Sequence, residues 1–201
     1  ESVRDASGEL RLSTGPSRTG PSGNIELAVG AAGAGNGGDV RVTAGEGVET
    51  GGSLLLSSGV GTESGRVVIA SAEGVDSSGS VSLGTGAVSS GSSGVLDLAT
   101  GSAFAGSAGN VNIAVGASAE GTAGSIHMKS GDSSDILEAG GGIVMETGFS
   151  ECSSSGEVVI KTAPAGSTGA SGGFALTTGV AAAGRSGSVD IVTGGSSEVS
   201  G

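Results

Sequence analysis

A glycine followed one residue later by an apolar-x-apolar triplet recurs along the whole chain, and this register constrains the fold more than any single residue does. Repeats counted from that glycine begin at Gly8, Gly23, Gly38, Gly52, Gly65, Gly79, Gly94, Gly109, Gly124, Gly141, Gly156, Gly172 and Gly187, thirteen in all and mostly 15 residues apart. Position 3 is apolar in every repeat (Leu10, Ile25, Val40, through to Phe174 and Val189), and so is position 5 (Leu12, Leu27, Val42, through to Leu176 and Ile191). Position 7 is Ser or Thr in ten repeats, and position 8 is Gly in eleven, with Ala72 and Ala163 in its place in the other two. A free linker has no reason to hold such a register, and repeats at a fixed period mark an array of like units.

The unit reads Gly-x-φ-x-φ-x-Thr-Gly, then about seven small residues. Apolar residues at period two, many of them β-branched, are a strand signal. No segment carries a helical period. The outward positions bear on how successive strands would meet. Position 4 begins Arg11, Glu26, Arg41, and position 6 carries Lys129, Glu146, Lys161. In-register parallel neighbours would place opposite charges side by side. The sequence therefore predicts an all-β fold, a flattened parallel β-solenoid (β-helix) of about 13 rungs with one repeat per rung, near 60 Å long at about 4.8 Å per rung. The alternative is a coil of two repeats, with two facing sheets. Residues 1–7 read as the end of a preceding repeat and 8–201 as one array. Gly201 falls where a fourteenth repeat would open, so the array is expected to be a fragment of a longer one.

Composition narrows the function classes. The formal charge is −12, with 8 basic and 20 acidic residues. Nucleic acid and anionic lipid both reward Lys and Arg, so neither is an expected partner. No apolar run is long enough to span a bilayer as a helix, so membrane insertion is not expected. Three Phe are the only aromatics, which leaves little for an ordinary core. One cysteine, Cys152, permits no internal disulfide.

The segments GSVSLGTG, GNVNIAVG and GSVDIVTG resemble the Gly/Ser/Thr-rich β-solenoid arrays of very large secreted or surface proteins of microalgae and other protists. More distantly they are similar to bacterial filamentous adhesins. The resemblance covers Gly8 to Gly201 and carries over no functional residue. It implies an extracellular or cell-surface location and a structural or adhesive role.

Reactive residues are few. His127 is the single histidine and sits at position 4, an outward position. Without a second His, metal centres and Ser-His triads lack their parts. Cys152 lies in ECSSSG and is expected to be idle; cross-linking to another chain is the lesser reading. The stretch from Gly33 to Val42 touches on a calcium-binding nonapeptide, but it occurs once and with the wrong spacing. Acids between the φ segments (Glu46, Glu49, Glu63, Glu73, Asp76, Glu120, Asp132, Asp135, Glu138) read as a solvated edge rather than calcium ligands. The Thr column at position 7 shares parity with the φ residues, which counts against an outward ice-binding rank.

The expected function is a structural segment of an extracellular fibre, sheath or surface adhesin, without catalysis. No catalytic, cofactor or metal site residue is assigned, and no cofactor. The expected partners are further copies, joined end to end, or a continuation of the same array, together with cell-surface or extracellular matrix components. The alternative is a binding module using one face for ice, carbohydrate or calcium.

Overall fold

The computed structural model describes residues 7–195. Among them there is no helix and no strand. The β-solenoid expectation, in its one-repeat and its two-repeat form, is thereby overturned. The chain is an open coil. Its accessible surface is 20389 Å² for 18.5 kDa. A compact monomer of that mass exposes about 8,000 Å², and the fully unfolded chain about 27,000 Å². The protein therefore hides only a modest share of what an unfolded chain shows, and no described side chain is buried.

The coil is nonetheless regular, and it follows the register of the sequence. Between consecutive φ segments the chain turns sharply, for example over 18–20, 33–35, 89–91, 104–106, 119–121, 151–153 and 182–184. These are positions 11–13 of their repeats. The turn then brings position 1 of each repeat back against position 7 or 8 of the repeat before it. A Cβ added to Gly23 would lie 3.7 Å from Thr14 Cγ2, and one on Gly94 would lie 3.7 Å from Thr85 Cγ2. The same closure recurs at Gly109 on Thr100, Gly156 on Thr147, Gly172 on Thr162 and Gly187 on Thr178. Where position 7 is not Thr, the closure still forms, at Gly38 on Val29, Gly52 on Ala44 and Gly45, Gly65 on Ser58, Gly79 on Ser71, Gly124 on Val115, and Gly141 on Ser130 and Gly131.

The chain divides into two units, Glu1–Leu98 and Ala99–Gly201. Each contains six of these closures. In Glu1–Leu98 they end at Gly23, Gly38, Gly52, Gly65, Gly79 and Gly94; in Ala99–Gly201, at Gly109, Gly124, Gly141, Gly156, Gly172 and Gly187.

The closures explain why the strand expectation fails. A solenoid rung needs the small residues after position 8 to carry the chain back about 20 Å, so that a new strand starts beside the old one. Here they take a shorter path, closing a loop on its own base, which costs the least closure entropy. Position 1 therefore meets the end of the preceding φ segment, not its beginning. The φ segments have no neighbour to bond along their length, so no ladder forms. The paired charge columns also separate. No ion pair joins Arg11, Glu26 and Arg41, or Lys129, Glu146 and Lys161, among the described residues; Lys129 bonds Asp132, three residues on, at 2.6 Å.

The apolar columns keep an imprint of the repeat. From Ile25 onward, exposure at position 3 runs only from 49% at Val189 to 68% at Phe174. Leu10, which follows no described closure, is 96% exposed. Shelter at position 3 thus tracks the closure two residues before it. Apolar residues on the loops, such as Val48, Phe104 and Val180, are fully exposed. No helix among the described residues is long and apolar enough to cross a membrane.

Candidate functional site

The feature that recurs is the loop closure, so it is the natural place to look for chemistry. Its base is made of the position 7 side chain, the position 8 carbonyl and the position 1 glycine. In four loops the glycine N–H donates to that carbonyl: Gly52 to Gly45 at 2.9 Å, Gly65 to Gly59 at 3.1 Å, Gly141 to Gly131 at 3.0 Å and Gly156 to Gly148 at 3.0 Å. Thr14 closes its loop differently, its hydroxyl donating to the Gly23 carbonyl at 3.2 Å. Among the described residues the best covered are Ala44, Ser130, Thr147 and Ser150, and the first three stand at position 7.

The tips of the seven-residue loops fall into two kinds. In five seven-residue loops the fifth residue is a glycine with positive φ: Gly35, Gly91, Gly106, Gly121 and Gly184. That left-handed backbone carries little penalty only for glycine. Two further loops of the same length avoid it. There a serine three residues earlier accepts the backbone N–H, Ser17 Oγ from Gly20 at 3.2 Å and Ser150 Oγ from Ser153 at 3.1 Å. A serine hydroxyl bonding nearby backbone is a common way to hold a turn. The nine-residue loop after Gly131 is held by its own acids. Asp135 Oδ1 accepts from Leu137 N–H at 2.8 Å, and Lys129 reaches Asp132.

The residues weighed in the sequence scatter over this frame. His127 is exposed on a φ segment. Cys152 is a free, exposed thiol at a loop tip. The stretch from Gly33 to Val42 forms an ordinary loop with Gly35 at φ 82°, followed by the next φ segment. No group of three or more His, Cys, Asp or Glu among the described residues could hold a metal ion. The methyls of five position 7 threonines face the next glycine, 3.7–3.8 Å from where its Cβ would stand, at Gly23, Gly94, Gly109, Gly172 and Gly187.

Sequence reasoning missed the closure itself. Its signal was the short offset between a small or β-branched position 7 and the following glycine, nine residues at seven of the twelve junctions, read as two turns of separate strands. The glycine at the fifth loop position was also legible, and its meaning as a left-handed tip was not drawn.

No protein-family model, curated protein or solved structure matches the chain.

Proposed function

We propose that the chain is a non-catalytic structural segment of an extracellular or cell-surface fibre, sheath or adhesin. The observation that carries this reading is the closure repeated at twelve junctions, each made only between adjacent repeats. A unit that needs nothing beyond its neighbour can be added without limit, which suits a length-setting material. The half-exposed φ columns give such a segment its partner. They keep apolar surface open in a fixed register, where a second copy or more of the same array can cover it. The acidic loops then hold copies apart except where those columns meet.

Immunolabelling of the protein in its native cells, with imaging of the material it labels, tests this. Labelled filaments, sheaths or surface layers are expected. Labelled protein confined to the cell interior as a dispersed monomer would overturn the reading.

A further inference from the structure

The loop formed by 31–37 ends in Asn36–Gly37, and we infer that this dipeptide is a site of spontaneous backbone modification, converting Asn36 to a mixture of aspartate and isoaspartate. The reaction needs three things, and all are present. The residue after the asparagine must leave its amide nitrogen open to approach. A Cβ built on Gly37 would meet nothing within 4 Å, so that side is clear. The backbone must be free to turn the Asn36 side chain onto that nitrogen. Asn36 is the only residue of 35–38 that carries a Cβ, with Gly35 already in the left-handed region at φ 82°. Glycine allows the widest range of backbone angles. Finally, the groups must not be tied down. Both residues are exposed, and no hydrogen bond between described residues engages the Asn36 amide or the Gly37 N–H.

The chemistry balances with water alone. The Gly37 nitrogen gives up its proton and attacks Asn36 Cγ, forming a C–N bond. The side-chain nitrogen leaves as ammonia, and a five-membered succinimide remains. Water then opens the ring at either carbonyl. Opening at the side-chain carbonyl gives aspartate. Opening at the main-chain carbonyl gives isoaspartate, in which the chain runs through the former side chain. Either product adds a negative charge to a chain already at −12.

The other asparagines are internal controls. Asn24, Asn110 and Asn112 lie on φ segments and precede Ile25, Val111 and Ile113. A β-branched neighbour restricts the backbone and crowds the nitrogen. The structural consequence also falls in one place. Isoaspartate inserts one methylene into the backbone, about 1.5 Å, just before Gly38. A Cβ on Gly38 would already lie 2.9 Å from Val29 Cγ1, so this closure has little slack.

The test uses the full chain, aged in mildly alkaline buffer and digested with trypsin. Cleavage after Arg18 and Arg41 releases one peptide that holds both Asn24 and Asn36. Fragment masses assign the exchange of NH₂ for OH to one or the other. Isoaspartate is scored by enzymatic methylation with labelled S-adenosylmethionine. Conversion at Asn36 is expected to be at least about tenfold faster than at Asn24, Asn110 or Asn112, the ratio given by a barrier lower by about 1.4 kcal/mol. Both products are expected, Gly37→Val and Asn36→Gln each abolish the methylation signal, and the Val29–Gly38 proximity fades in NMR as isoaspartate accumulates. Conversion at Asn36 no faster than at the other three, or aspartate formed without isoaspartate, would overturn the inference.

Discussion

Gly38 and Val29 are pressed together: a Cβ on Gly38 would lie 2.9 Å from Val29 Cγ1, closer than side chains tolerate. Gly124 and Val115 repeat the relationship at the same 2.9 Å. At Gly94 and Gly187, where threonine takes the valine's place, the nearest approaches are 3.7 and 3.8 Å. At Gly38 and Gly124 the valine at position 7 thus leaves no room for a side chain at position 1. Gly38→Ala and Gly124→Ala are expected to open their loops, with loss of the NMR contacts between Val29 and residue 38 and between Val115 and residue 124. Gly94→Ala and Gly187→Ala are expected to keep theirs. Equal tolerance at all four sites would refute the closure geometry.

The loop tips give a second contrast. Gly106→Ala places a side chain at φ 127°, and Gly121→Ala one at φ 91°. A left-handed non-glycine residue costs about 1–2 kcal/mol, a five- to thirtyfold shift away from the closed loop. Gly20 occupies the same loop position without positive φ, and its added Cβ would meet only Ser17 Oγ, at 3.8 Å. Gly20→Ala should leave the Thr14–Gly23 contact in place, while Gly106→Ala removes the Thr100–Gly109 contact.

Ser17 and Ser150 stand in for that glycine geometry. Ser17→Ala and Ser150→Ala remove the acceptors of the Gly20 and Ser153 N–H groups. Because these bonds are solvent-exposed, the effect is modest, about 0.5–1.5 kcal/mol. It should appear as faster amide hydrogen exchange at residues 20 and 153, with exchange at Gly91 unchanged in the same samples.

Much of this arrangement was legible in the sequence, but its handling of space was not. The thirteen-fold register, the turn between segments and the special role of position 1 all follow from where Gly8, Gly23 and their successors stand. The error concerned where Gly94 goes. Alternation in GSVSLGTG says that Val81 and Leu83 share a side; it does not say that another strand lies beside them. Strand pairing is a long-range event, and a period of two records only the local half of it. The closure of Gly94 on Thr85 competes for the same loop residues and is the nearer partner. Charge alternation misled in the same way, because Lys129 pairs with Asp132 at the start of the loop that follows it and not with Glu146.

Leu83 supplies the test of that correction. It is 65% exposed, beside an exposed Ser82. Leu83→Asp buries no charge and is expected to be as mild as Ser82→Asp, with far-UV circular dichroism free of a strand signature in both variants and in the parent. A strand spectrum in the parent, or a collapse specific to Leu83→Asp, would restore a buried φ column.

The closures also give the chain a mechanical property. Each ties together residues about nine apart, as Thr14 and Gly23 are. Such a span reaches roughly 30 Å when straightened. What holds it is a single hydrogen bond or a methyl contact, with no ladder behind it. Tension therefore draws out slack one loop at a time, at low force and without a shared breaking point. A slackened loop can re-form alone, since its partners are its own ends. The molecule lengthens under load in small recoverable steps, as a shock-absorbing tether does, instead of holding rigid until it fails.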